Sequence, residues 1–508
     1  MEYHLKKKSL GCPKTLLDTV SEQPVDIDLT LPDYCPDIER ILKCELVPRV
    51  YLANVSGDRL TAEGGACVRV MYLDSEKGCA RSFEYTAPFS ESFPLKDSPN
   101  DSTVYVDTKP EYINCRALSP RKLSLHGAFS LYARVVVKDD LCYAAYDEGD
   151  DLQVLAEELS ASELCGLCSD TFSVREDVEL SGQPEITAFI THRLTARITE
   201  LKAISGKIML TGEGRLELMY LSGSDSGIEQ LSCAFPISRV IDCEGVGEDS
   251  VIDARLQVMT YDLSLNDDAL GGSAVLSVDA KLCFNALCYE ERPISLIRDA
   301  FSTERDISLR SEPFTCASQT RCLSYTDISK ASVTLEGEEL KKVIDVHANR
   351  IIVSAAVSGG APLLSARMNV GILYENTDGE TRCIDRDLDL SYNPSVDDID
   401  SVDAVSATAD SLSYRIVDAH TLELRGEVCY RMTVSRRISR SAPVAITADE
   451  EASSYADDDA LILYYADAGE SIWDIGKRFH ARPDAIREEN AVEGESLTAD
   501  LMLLIPTA

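Results

Sequence analysis

The sequence predicts a mainly β chain, with three antiparallel sandwich- or barrel-like repeats followed by a small C-terminal βααβ module. Three observations predict this. A strand signature occurs three times at intervals of one domain length, each copy is followed by a long stretch of strict two-residue alternation, and the C-terminal segment changes abruptly to helical spacing.

The signature is GGACVRVMYL (Gly64 to Leu73), GEGRLELMYL (Gly212 to Leu221) and SARMNVGILY (Ser365 to Tyr374). Its closing tyrosines, Tyr72, Tyr220 and Tyr374, are separated by 148 and then 154 residues, the spacing of a repeated domain with loop variation. About fifty residues after each tyrosine comes the alternating stretch. Its apolar face is Leu123, Leu125, Phe129, Leu131, Val135 and Val137 in the first unit, Leu276, Val278, Ala280, Leu282 and Phe284 in the second, and Leu422, Leu424, Val428, Tyr430 and Met432 in the third. Period two over this length is the mark of a half-buried antiparallel strand. Gly127 and Gly426 hold the same place in two of these strands, where a bulge or bend is expected.

The segments DTFSVREDVEL (Asp170 to Leu180) and DAFSTERDISL (Asp299 to Leu309) share D-x-F-S-x-x-x-D-x-x-L and are read as the starts of the second and third units. Pro36-Asp37-Ile38 pairs with Pro184-Glu185-Ile186, with no clear counterpart in the third unit. The expected organisation is a first repeat with an N-terminal extension over 1–160, a second over 170–298, a third over 299–440, an acidic flexible linker over 441–460, and a separate module over 461–508.

The module reads as a strand from Leu463 to Ala466, a turn at Gly469 and Glu470, and a helix capped by Ser471 and carrying Ile472, Ile475 and Phe479. A second helix opens at Pro483, carries Ile486 and ends near Asn490, and Leu503 to Ile505 close the unit as a strand. Trp473, the chain's only tryptophan, is assigned to the core with Ile472, Ile475, Phe479, Ile486, Leu503 and Ile505.

Composition limits the function. Against 49 Lys and Arg stand 87 Asp and Glu, a net charge of −38 that repels nucleic acid and anionic lipid alike. The basic start MEYHLKKKSLGCPK has no apolar run behind it, and no stretch approaches the ~20 apolar residues of a membrane span, so a soluble cytoplasmic chain is expected. Seventeen scattered cysteines read as reduced thiols, and the lone pair Cys165 and Cys168 reads as linker rather than as a metal or redox site. None of the six histidines lies in a hydrolase or metalloprotease motif, and no phosphate-binding glycine loop occurs, so neither catalytic residues nor metal nor cofactor is expected.

Gly469, Glu470, Ser471, Ile472, Trp473, Ile475, Ile486, Asn490, Leu503, Ile505 and Pro506 match the turn, helix and closing-strand pattern of the LysM family, which the C-terminal module resembles. Many LysM modules bind N-acetylglucosamine glycans between two loops. Here Thr498-Ala499-Asp500-Leu501 replaces the family's glycine-containing second loop, and the module is itself acidic. The resemblance implies a contact surface made of Gly469, Glu470, Ser471, Ala499 and Asp500 in the loops, with Lys477, Arg478, Arg482, Arg487 and Asn490 on the exposed side.

Three such repeats followed by one LysM unit resemble the SPOCS-domain spore-coat morphogenetic proteins of clostridia. That resemblance implies a non-enzymatic scaffold in the mother-cell cytoplasm at the forespore surface. Its implied partners are a coat-basement ATPase of the SpoIVA type, other coat proteins and further copies of itself, held by avidity. The alternative is a protein that binds peptidoglycan or N-acetylglucosamine glycan through the same module.

Overall fold

The computed structural model describes residues 2–145, 151–180, 182–223, 227–267, 274–335, 337, 339–452 and 462–506. The chain is mainly β, built from three-stranded antiparallel sheets with two short helices, and none of these sheets closes into a barrel.

Each repeat supplies six strands in two sheets. The first contributes β1 (Lys6–Thr30), β2 (Ile38–Ser56), β3 (Arg59–Asp74), β4 (Ala80–Pro94), β5 (Thr103–Ser119) and β6 (Lys122–Ala145), ordered β1-β6-β5 and β2-β3-β4. The second repeats this plan with β7 (Leu152–Glu179), β8 (Ile186–Ile204), β9 (Lys207–Ser222), β10 (Ile228–Asp242), β11 (Val251–Asp267) and β12 (Ala274–Ser302). The third does so with β13 (Arg305–Thr334), β14 (Leu340–Ser358), β15 (Ala361–Asn376), β16 (Thr381–Tyr392), β17 (Ser401–Asp418) and β18 (Thr421–Ala452).

The signature strands are the central strands β3, β9 and β15, and Tyr72, Tyr220 and Tyr374 are buried at their ends. The alternating stretches are the central strands β6, β12 and β18 of the other sheet of each unit. Their apolar faces meet the signature strands in one hydrophobic core per unit. Beside Gly127 and Gly426 the bulge lies on the partner strand, between Pro110 and Tyr112 and between Ala409 and Ser411. A Cβ on Gly127 would come within 2.6 Å of the Tyr112 carbonyl oxygen, so the neighbouring strand needs the bare backbone there. Leu340 opens β14 as Ile38 opens β2 and Ile186 opens β8, which supplies the third-unit counterpart that sequence comparison did not find.

The unit joints differ from expectation. β7, β12, β13 and β18 each run unbroken for 28 to 32 residues. The outer parts of these strands, with those of β1 and β6, project past the sandwiches as three two-stranded arms. Leu10 and Tyr143, Ala161 with Ile294 and Leu296, and Phe314 with Cys316 and Ala442 pack the arms into a common stem. Breaks expected near 160–170, 298–299 and 440–441 therefore fall inside continuous strands or at their ends. Residues 441–452, read as tether, are the end of β18, where Ala442, Ile446 and Ala448 are buried; the rest of that stretch lies outside the described residues. Cys165 and Cys168 likewise sit within β7 rather than in a linker, with Cys168 buried. The shared D-x-F-S segments occupy different places, one in the middle of β7 and the other across the end of β12 and the start of β13.

The module is β19 (Ile462–Ala466), α1 (Ile472–Phe479), α2 (Pro483–Asn490) and β20 (Leu501–Ile505), with β19 and β20 antiparallel. No helix among the described residues is long and apolar enough to cross a membrane.

Candidate functional site: the C-terminal module and its seat

Within the module, Ser471 caps α1 by accepting a hydrogen bond from the Trp473 backbone N–H at 3.2 Å. Ile472, Ile475, Ile486, Leu503 and Ile505 are buried together with Ala466, Ala481 and Leu497, and Phe479 packs at their margin. Asn490 is structural rather than presented. Its amide donates to the Ile486 and Leu504 carbonyls, and its Oδ1 accepts from the Leu504 N–H, all at 2.7 to 2.8 Å, which ties α2 to β20.

The two loops of the expected contact surface are knit together. The Gly469 N–H donates to the Leu497 carbonyl at 2.8 Å, and the Leu497 N–H returns a bond to the Glu470 carbonyl at 2.9 Å. The Ala468 N–H donates to Asp500 at 2.9 Å. Gly469 has φ +92°, a conformation that excludes most side chains. Glu470 accepts from the Tyr464 hydroxyl through one oxygen, while the other is buried without a hydrogen-bond partner.

Trp473 departs from its expected place. It lies outside the module's buried cluster and meets the end of β12 edge to face, its ring 4.9 Å from that of Phe301 at 66°. Its indole N–H donates to Asp299 at 3.0 Å, and Lys477, one turn on, donates to both oxygens of the same carboxylate at 2.7 Å. Burial raises the pKa of Asp299, but the bonds from Lys477 and Trp473 outweigh it and hold the carboxyl below its usual range. His480 Nδ1 donates to the Ser302 carbonyl at 2.8 Å. Gly476 allows this approach, since a Cβ there would lie 3.3 Å from the Phe301 ring and 2.7 Å from the Ala481 carbonyl oxygen. One face of α1 is thus seated on the end of the stem.

The basic residues of the expected surface are dispersed. Lys477 is committed to Asp299, Arg478 donates to the Tyr464 hydroxyl at 2.6 Å, Arg487 pairs with Asp484 at 2.7 Å, and Arg482 is exposed at the start of α2. Ala499 and Asp500 are exposed in the second loop. Sequence reasoning missed an apolar face on the module's sheet: Tyr465 is 78% exposed, and Leu463 and Met502 about half exposed, with Tyr465 directly opposite Met502. The alternation of Leu463 and Tyr465 with inward-facing neighbours was the available signal.

A second cluster was also missed. Where the three units meet, Glu45 of β2 pairs with Arg193 of β8 at 3.1 Å and lies 3.9 Å from His347 of β14. Each of these three residues stands 27 positions before its unit's tyrosine, so they are one repeat position in three chemical forms. Lys43, Arg69, Glu84, His192, Asp345 and Asp385 surround them. Burial pushes Glu45 up, but Arg193, Lys43 and His347 overcome it and draw its pKa down to about 2. Glu84 behaves alike: His192 and Arg69 overcome its burial and bring it to about 2. Burial dominates for His192 and His347 and lowers both. The cluster joins the units through pairs between their strands, Glu45 with Arg193 and His347, Lys43 with Asp385, and Glu84 with His192.

Residues 37–118 match the family model of the SipL, SPOCS domain, a span that runs from the entry of β2 through almost all of β5. No curated protein and no solved structure matches the chain.

Proposed function

Proceeding from the SPOCS-domain match over residues 37–118, we propose that this chain is a non-enzymatic scaffold of spore-coat assembly at the forespore surface. In this reading the C-terminal, LysM-like module tethers the coat-basement ATPase of SpoIVA type, and the three repeats form the platform that carries it. The match is the observation that supports the reading most. Residues equivalent to the matched span recur as β8 to β11 and β14 to β17 in the same strand order, which supports reading the other two units as SPOCS units as well.

The geometry favours a protein partner over a glycan. With α1 seated on the stem, the outward surface of the module is the apolar pair Tyr465 and Met502 with Leu463, bordered by the acidic loops at Glu470 and Asp500. Exposed apolar side chains rimmed by charge suit a protein surface of opposite sign.

Cosedimentation of the full chain with purified coat ATPase polymer and, separately, with insoluble peptidoglycan tests this. Pelleting with the ATPase alone is the expected result. Pelleting with peptidoglycan alone would replace the scaffold reading with glycan recognition.

A further inference from the structure

The two-stranded sheet of the module has one covered edge and one open edge. Along β20, the Leu504 N–H and carbonyl both turn away from β19 and are taken up by Asn490 of α2 at 2.7 Å. Directly opposed residues of an antiparallel pair either bond each other through both main-chain groups or turn both away from the ladder. Leu504 stands opposite Leu463, and two positions along Met502 stands opposite Tyr465. The N–H and C=O groups of Leu463 and Tyr465 therefore point outward from β19, where among the described residues no further strand pairs with them.

The side chains follow the same pattern. Leu463 and Tyr465 share one face with Met502, and the three are 53%, 78% and 48% exposed. An open main-chain edge beside an apolar face is a template for one more strand. Edges that must stay single are blunted by proline, a bulge or a charge, and the β19 sequence ILYYA, in unbroken register with β20, carries none of these.

Charge selects the occupant. From Leu463 to Pro506 nine Asp and Glu stand against four Lys and Arg, and Lys477 and Arg487 are already paired, with Asp299 and Asp484. Exposed Asp467 follows β19 directly, and exposed Asp500 bonds the Ala468 N–H at 2.9 Å. A second copy of the module would bring the same negative charges to the edge and be repelled, whereas a basic strand is attracted. Given the reading of the module as a protein binder, on which this rests, we infer that the β19 edge receives an extended, basic segment of the partner protein. Alternate apolar residues of that segment extend the face of Leu463 and Tyr465, and its lysines or arginines reach the acidic loops.

Hydrogen–deuterium exchange of the full chain, resolved to single residues, tests this with acetyl-Lys-Val-Lys-Val-Lys-Val-Lys amide as the added strand. The controls are its glutamate counterpart and a peptide of equal charge in which the central valine is proline. In the free chain the Leu463 and Tyr465 amides should exchange freely while that of Tyr464 is protected. The lysine–valine peptide at millimolar concentration should slow both by about tenfold or more, and neither control should. Tyr465→Pro removes an outward N–H and leaves the β19–β20 ladder intact, so it should abolish the slowing at Leu463 while Trp473 emission is unchanged. No slowing by the lysine–valine peptide, or equal slowing by either control, would overturn the inference. Synthetic peptides keep this separate from the identity of the partner: slowing at β19 in a chain that fails to pellet with the ATPase overturns the choice of partner and leaves the edge site standing.

Discussion

Asp299 and Phe301 lie two residues apart on a strand and so face the same way, offering an anion beside an aromatic ring. Asp170 and Phe172 do the same in β7, where Arg239 bonds the carboxylate at 3.0 Å and covers the ring at 5.3 Å. The shared D-x-F-S therefore marks a local receptor for a cation and a flat group, filled by Arg239 at one place and by Lys477 with Trp473 at the other. Because Trp473 is the chain's only tryptophan, its fluorescence reports the seat directly. Phe301→Ala should shift its emission to the red and raise its quenching by acrylamide; unchanged emission would mean that the module is not seated there. Asp299→Asn should have a smaller effect, since a partly exposed ion pair is worth ~0–1 kcal/mol. Asn490→Ala removes three bonds and should speed amide exchange in β20 about tenfold or more, measured by hydrogen–deuterium exchange.

At the scale of elements, period two was legible because it is the direct imprint of a one-sided core, and the central strands β6, β12 and β18 follow it. The βααβ order of the module was legible for a similar reason, with Ser471 and Pro483 marking the helix starts. The stem was not. Its strands continue past the sandwiches with smaller and more polar residues such as Ser441, Ala442 and Thr447, which read as linker because what buries Ala442 comes from arms distant in sequence. Trp473 escaped for the same cause: its spacing placed it on α1, but only the folded chain supplies Phe301. The Phe314 ring packs edge to face on Tyr143 at 5.8 Å and joins two arms. Phe314→Ala should cost about 3–5 kcal/mol in denaturant unfolding, and a loss below ~1 kcal/mol would mean that the stem is not a packed core.

Across the whole molecule, the three units meet over the Glu45, Arg193 and His347 cluster, and this makes stability depend on pH. His192 and His347 have pKa values below their ordinary 6.5, so in the acid direction the unfolded chain takes up protons first and stability falls as pH drops below about 6.5. Glu45 and Glu84 are depressed from 4.5 to about 2, and their contribution is lost as pH falls from about 4.5 toward 2. Urea midpoints measured against pH should decline in these two stages, and His347→Gln should flatten the first. A midpoint independent of pH between 7 and 5 would contradict the burial of these rings.

The module sits at the far end of the stem, so under the proposed function a partner bound there would be held at a set distance from the three repeats. The affinity of purified coat ATPase for the full chain and for a chain ending at Ala452 measures that arrangement most directly. The account predicts saturable binding to the full chain and loss of at least about tenfold on truncation, the scale of one specific contact surface removed. Equal affinity for both chains would place the contact on the repeats and contradict it.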